Sequence, residues 1–201
     1  MPAIQLPRYT PEEYLALERR AEYKSEYING RIYAMSGASR EHNLIAGNIF
    51  AEIRTQLKGK PCEVYVSDMR VKVSATGMYT YPDVVAICGE PRFEDRQVDT
   101  LTNPTMIVEV LSPSTEGYDR GEKFAHYRRL LSLRDYVLVA QDKMRVEHFV
   151  RLDDTSGQWV LTEIGDPAGI LHLSSIGCEL SLRDIYDRVE FSQDAFPRSE
   201  A

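Results

Sequence analysis

The apolar runs along this chain of 201 residues predict an α/β fold, a central mixed sheet flanked by helices on both faces. Three observations predict it. Short β-branched runs alternate with segments of helical period. Two of those runs, YPDVVAIC (81–88) and MIVEVL (106–111), are apolar except for one acid each, so they read as buried strands. The second is followed by the breaker cluster Ser112-Pro113-Ser114 and then by a charged amphipathic segment, the order strand, loop, helix. The length fits one domain, 1–201, with its core at about 10–190 and an N-terminal helix and β-hairpin ahead of the main sheet.

Taken in order, Thr10-Pro11-Glu12-Glu13 joins a threonine cap, proline at the first helical position and glutamate at the third. This predicts a helix from Pro11 that carries Tyr14, Leu15 and Leu17. Residues 25–35, SEYINGRIYAM, are two strands about Asn29-Gly30, the favoured pair of a two-residue type I′ hairpin. Ser39 caps a helix over 41–57, where Ile45, Ile49, Ile53 and Leu57 recur at helical spacing and His42 lies one turn above Ala46. CEVYVSDMRVKV (62–73) and the run at 81–88, separated at Gly77, read as neighbours in one sheet. Residues 89–103 are polar and aperiodic, a surface loop with room for substrate contacts. Beyond the Glu109 strand, Asp119 followed by Glu122 has capping-box spacing and predicts a helix opening at Asp119. Strands at 136–140, 146–150 and 159–164 follow, then a short helix at 181–189 and a frayed tail at 191–201.

With 24 Lys+Arg against 31 Asp+Glu the net charge is −7, which excludes a wholly basic surface that coats nucleic acid and leaves room for a local basic groove. Cys62, Cys88 and Cys178 are odd in number and lack CxxC spacing, so neither a disulfide framework nor a zinc ribbon is expected and the compartment is expected to be reducing. No leader pattern and no run of membrane-spanning length occurs, so a soluble cytoplasmic protein without a membrane partner is expected.

The chemistry centres on the two strand acids, Asp83 and Glu109, 109 − 83 = 26 positions apart. An ionised carboxylate in an apolar strand is costly unless something pairs with it. By the strand period, Asp83 shares a face with Tyr81 and Val85, and Glu109 with Ile107 and Leu111, so adjacent strands would bring the acids together. With the carbonyl of Val110 they offer the hard oxygen ligands that Mg²⁺ (or Mn²⁺) takes alongside water and phosphate. Such an ion would activate water and neutralise phosphodiester charge. The competing reading pairs each acid with an arginine. Lys123 aligns with Tyr127 and Leu130 at the edge of a stripe containing Phe124 and Leu131. Its stem either runs to the acids or snorkels outward to Asp119 or Glu122. In the first case Lys123→Met would cut turnover with little change in folding. Residues 118–134 carry Arg120, Lys123, Arg128, Arg129 and Arg134 against Asp119 and Glu122, a local +3 that reads as a phosphate-facing strip or as an ordinary solvated helix face.

The succession Glu26, Asn29-Gly30-Arg31, His42, Pro82-Asp83, Glu109-Val-Leu-Ser-Pro-Ser-Thr115, Asp119, Lys123 and Tyr127 resembles the Uma family of restriction-endonuclease-like proteins over about 10–189. The resemblance implies the PD-(D/E)xK nuclease fold, with Pro82-Asp83 as the first acid motif and Glu109 as the second. Where that pattern has lysine two residues after the glutamate, this chain has Leu111, and the resemblance implies Lys123 as the replacement. It also implies Glu26 as an extra ligand and His42 as a proton shuttle. Otherwise these two are a hairpin surface acid and a packed histidine.

The functional expectation is a Mg²⁺-dependent endonuclease acting on DNA. The alternative is a non-catalytic nucleic-acid or protein-binding module that keeps the fold; a third is a phosphohydrolase of small phosphates. Leu111 favours the second, and the two buried acids favour the first. A homodimer is expected, since two-fold symmetry is the commonest assembly and suits cutting two strands.

Overall fold

The computed structural model describes residues 7–153 and 155–191, so the predicted tail, apart from Phe191, lies outside the described residues. The architecture is mixed α/β, with two mixed sheets and few helices. Helix α1 (Pro11–Glu18) opens with the expected capping box, in which Thr10 accepts from the Glu13 amide and the Glu13 side chain accepts from the Thr10 amide. Tyr14 and Leu15 face inward, but Leu17 is 51% exposed and Glu18 is buried in its place. The hairpin is as expected: β1 (Ser25–Ile28) and β2 (Arg31–Ala34) turn at Asn29 and Gly30, whose φ values of 50° and 83° suit a primed turn.

Instead of one large sheet there are two, because the stretch 62–88 crosses from one to the other and back. Run 62–73 splits at Ser67, φ 59°, into β3 (Cys62–Val66) and β4 (Arg70–Val73). The next strand, β5 (Met78–Thr80), is followed by Tyr81-Pro82-Asp83 before β6 (Val84–Cys88) starts. Pro82 has no N–H to continue a ladder. The five-stranded sheet has the order β2-β1-β5-β4-β7, where β7 (Thr100–Leu101) comes from the segment expected to be pure loop. The six-stranded sheet has the order β11 (Trp159–Ile164), β10 (Val146–Arg151), β9 (Asp135–Ala140), β8 (Met106–Leu111), β6, β3.

On one face of the six-stranded sheet Val84, Ala86, Val108 and Val110 pack against Ile45, Ile49 and Ile53 of α2 (Arg40–Gln56). An unforeseen hairpin, β12 (Ile170–Leu173) and β13 (Cys178–Ser181), joins that layer with α5 (Leu182–Ile185), which is shorter than the helix expected at 181–189. On the other face Val85, Ile107, Leu111 and Leu138 meet Val71, Val73 and Met78 of the five-stranded sheet and Phe124, Tyr127 and Leu130 beyond β8. A second sheet thus covers a face where helices alone are expected.

That helical stretch opens at Glu116, not at Asp119. α3 (Glu116–Tyr118), a π-helical turn (Asp119–Lys123) and α4 (Phe124–Tyr127) follow one another directly, so Asp119 is an interior, buried residue rather than a cap. Leu131, placed on the inner stripe by its spacing, is 75% exposed because the helix has ended. Cys62 and Cys88 form a disulfide, against the expectation of none. They are direct cross-strand partners of the antiparallel pair β3 and β6, a juxtaposition that spacing alone does not reveal. Among the described residues no helix is long and apolar enough to cross a membrane.

Candidate functional site

Asp83 sits at the crossover from one sheet to the other, one residue before β6. β6 and β8 run antiparallel with Val84 opposite Val108, and that register carried one step further sets Asp83 across from Glu109. Their neighbours Val85, Ile107 and Leu111 share one core layer, so the matching parity holds. No arginine pairs with either acid among the contacts of the described residues. Asp83 Oδ2 accepts the Val110 N–H at 2.7 Å, and its Oδ1 lies 2.8 Å from His42 Nε2. His42 is delivered by the first turn of α2, whose cap Ser39 accepts the His42 amide at 3.1 Å. The structure therefore brings His42 to Asp83 and enters Val110 through its amide.

Glu109 is buried in the middle of the apolar strand β8, and the ammonium of Lys123 reaches it at 3.0 Å. Lys123 is buried rather than snorkelling. Its Nζ also lies 3.3 Å from Glu26 on β1 and 3.5 Å from Asp119, one turn earlier. The π-helical turn holds both Asp119 and Lys123 inward, and such local widening recurs at functional sites. Tyr127 donates to Glu109 at 2.8 Å, and the Thr80 hydroxyl bonds Glu26. The Tyr118 ring lies 5.9 Å from Lys123 Nζ, and its buried hydroxyl finds no partner among the described residues. Asp119, Tyr127 and Thr80 are the members that sequence spacing does not assign to the site. For Asp119 the available signal was its four-residue offset from Lys123.

Three carboxylates, Glu109, Glu26 and Asp119, thus share one ammonium, a formal excess of 3 − 1 = 2 negative charges, and a fourth, Asp83, lies across from Glu109 and is engaged by His42. Burial pushes the Glu109 carboxyl well above the ordinary range; Lys123 pulls against this, while Asp119, Asp83 and Glu26 add to it. Asp119 is raised by burial too, with Lys123 again opposing. Burial works against the charge on Lys123, but Glu109 foremost, with Glu26 and Asp119, holds its proton firmly. A site with this surplus of acid and hard oxygen donors suits a divalent cation. Among the described residues no three His, Cys, Asp or Glu side chains form a metal cage by themselves. Mg²⁺ does not require one, because it takes one or two carboxylates and keeps several waters.

The basic strip expected on 118–134 is not one face. Lys123 is buried, Arg120 is bound by Glu116 and Glu147, and Arg128 lies over the Phe124 ring at 5.2 Å. In the segment 89–103, Asp95 and Asp99 bind Arg19 on the outside of the five-stranded sheet.

Two curated relatives from Synechocystis are similar over most of their length. The chain is 41% identical to "Uncharacterized protein sll1609" over 155 residues, 77% of this chain and 86% of the relative. It is 37% identical to "Uncharacterized protein slr1290" over 190 residues, 94% and 97% respectively. Among solved structures, a "putative nuclease belonging to DUF820" from Anabaena variabilis superposes with a TM-score of 0.70 at 19% identity, covering 88% of this chain and 97% of that one, a likeness of fold. Residues 11–183, which contain every acid of the site together with His42 and Lys123, match the family Uma2, described as "Putative restriction endonuclease", and the chain belongs to that family.

Proposed function

We propose that the chain is a metal-dependent endonuclease with a restriction-endonuclease-like core, hydrolysing phosphodiester bonds of DNA as a homodimer. The observation that carries the reading is the gathering of Glu109, Glu26 and Asp119 about the ammonium of Lys123, with Asp83 across from Glu109 and engaged by His42. Buried acids in excess of their counter-charges are costly to fold and are characteristic of sites rather than of scaffolds. Asp83, Glu109 and the main chain at Val110 are the groups that would hold Mg²⁺ or Mn²⁺. Such an ion, when bound, supplies a water of lowered pKa and offsets charge on the phosphodiester.

The chain's own residues divide the remaining work. Lys123 supplies from a helix the positive charge that Leu111, packed in the core, does not supply from the strand. Its four-carbon stem allows that substitution of position. Glu26 and Asp119 fix where its ammonium rests. His42, hydrogen-bonded to Asp83, is placed to take or return a proton at the edge of the site. Tyr127 orients the Glu109 carboxylate through its hydroxyl.

One observation favours a second reading. Lys123 already neutralises part of the acid cluster, and no lysine follows Glu109 on its strand, as in a non-catalytic binding module that keeps the fold. Cleavage assays on duplex DNA, single-stranded DNA and nucleotides, with Mg²⁺, Mn²⁺ or EDTA, separate the readings and also test small-phosphate hydrolysis. Asp83→Asn should abolish metal-dependent cleavage with the Tm equal or raised. The amide oxygen still accepts from Val110, and its NH₂ donates to the unprotonated nitrogen of His42. Retained cleavage with a large loss of stability would identify Asp83 as a structural ion-pair partner instead.

A further inference from the structure

The segment joining the hairpin to α2 runs from one end of the acid cluster to the other. It begins on β2, paired with the strand that carries Glu26, and ends at His42 on Asp83. Direct cross-strand partners project to the same face. Tyr33 is the partner of Glu26, and Arg31 is the partner of Ile28. Glu26 points to Lys123, and Ile28 packs in the core layer beneath the site. Ile32, between them, turns the other way onto the Tyr14, Tyr27 and Tyr79 cluster. Arg31 and Tyr33 therefore stand on the site face of the edge strand, and Tyr33 is 48% exposed there.

Residues 36–40 continue the rim and are all exposed, ending in Arg40 at the start of α2. Along this rim the cations Arg31 and Arg40 face one acid, Glu41, which lies 3.5 Å from Arg40. In a chain of net charge −7 this is a local reversal of sign beside an acidic centre. An exposed aromatic ring between two arginines offers what an unpaired nucleic-acid strand needs, a face for a base and cations for the phosphates on either side. A base inside an intact duplex presents no free face to such a ring.

We infer that the rim formed by Arg31, Tyr33 and Arg40 is a track for an unpaired strand, with Tyr33 stacking on a base next to the bond to be cut. The inference rests on the nuclease reading for the role of the neighbouring acids, but binding tests it without turnover. Fluorescence anisotropy in EDTA would compare a labelled single-stranded oligonucleotide, the matching duplex and an oligonucleotide of the same length whose nucleotides are abasic. The single strand should bind most tightly. Base stacking on an aromatic side chain amounts to about 1–3 kcal/mol, so Tyr33→Ala should weaken single-strand binding roughly 5- to 150-fold. Tyr33→Phe should keep it, and neither variant should alter binding of the abasic strand. Arg31→Gln and Arg40→Gln should weaken both strands alike. Equal or tighter duplex binding, absence of single-strand binding, or an unchanged Tyr33→Ala variant overturns the track. If Tyr33-dependent binding is found but no nucleic acid is cleaved with Mg²⁺ or Mn²⁺, the track stands and the nuclease reading falls. Cleavage with no role for Tyr33 keeps the nuclease reading and removes the track.

Discussion

Two buried ionic clusters flank the five-stranded sheet, and they are assembled on opposite principles. Around Lys123, three carboxylates share one ammonium at 3.0–3.5 Å and a fourth, Asp83, is engaged by His42. Around Arg70 the charges are closer to balance, with Arg70 and Arg19 against Glu18, Asp95 and Asp99, and are joined through hydrogen bonds. Its Nε donates to the Tyr81 hydroxyl at 2.9 Å, and that hydroxyl donates to Glu18 at 2.9 Å. One guanidinium nitrogen donates to Thr100 at 3.0 Å, and Arg19 takes up Asp95 and Asp99 nearby. The carboxyls respond with opposite sign. Burial drives Glu109 and Asp119 up in the first cluster, whereas Arg19 draws Asp95 and Asp99 down at the edge of the second. Both clusters are rich in buried polar groups, so burial does not distinguish a site from a scaffold; the imbalance of charge does.

The largest effect is expected at Lys123. Its place at the edge of a helical stripe suggests that Lys123→Met would leave folding nearly intact, but the ammonium is enclosed by three acids. Removing it leaves buried carboxylates without the cation they share, a loss of about 3–5 kcal/mol. Cleavage should fall by orders of magnitude as well. Urea denaturation and turnover measured on one preparation check both. Unaltered stability would mean that the cluster is not the charge-frustrated unit described above.

Arg70→Met should destabilise by a similar amount, about 3–5 kcal/mol, because it removes a buried cation together with its bonds to Tyr81 and Thr100 and its ion pair with Asp99. Cleavage per folded molecule should stay at the parent level. A selective loss of turnover would carry the functional region into the second cluster and erase the contrast.

How far the sequence reveals these clusters depends on the range of the interactions that build them. Local chemistry was legible: the Thr10 and Ser39 caps and the Asn29-Gly30 turn stand where their residues place them. The pair Asp83 and Glu109 was legible too, because parity within two apolar runs is a short-range property. The second sheet was not, since β1 meets β5 across some fifty residues and nothing in either strand encodes that partner. Glu26 depends on that pairing for its inward direction, and spacing within the hairpin leaves it a surface acid. Asp119 was misplaced because capping-box spacing also occurs inside helices, and the helix had already begun at Glu116. The Cys62–Cys88 disulfide required the register of β3 on β6.

Asp119→Asn sharpens the contrast from the other side. In a balanced cluster the loss of one acid would strand a cation, but here Lys123 keeps Glu109 and Glu26. The variant should melt at the parent temperature or above it, since it reduces an excess of buried negative charge. A fall of several degrees in thermal melts would show that Asp119 is needed to complete the charge balance.

A small loss of stability is expected at the rim of the second cluster. Asp99 receives a bidentate contact from Arg19, Nε at 2.8 Å and a terminal nitrogen at 3.0 Å, and a bond from Thr100 at 2.9 Å. Arg19 first, then Thr100 and Arg70, hold its carboxyl down to about 2 against the opposing effect of burial. A carboxyl whose folded pKa lies below its unfolded value of about 3.9 stabilises the fold at all pH above that value. The contribution is lost as pH falls from about 4 towards about 2, because protons then bind the unfolded chain first. Both side chains are close to one-third exposed, so solvent screening limits the contribution to about 1 kcal/mol. Asp99→Asn should therefore be less stable than the parent by about that amount near neutral pH. The gap should narrow steadily below about pH 4. Paired urea titrations at neutral pH and near pH 3 measure it; a gap that persists undiminished in acid would mean that Asp99 acts through packing and neutral hydrogen bonds, and that charge matching is not what holds this cluster together.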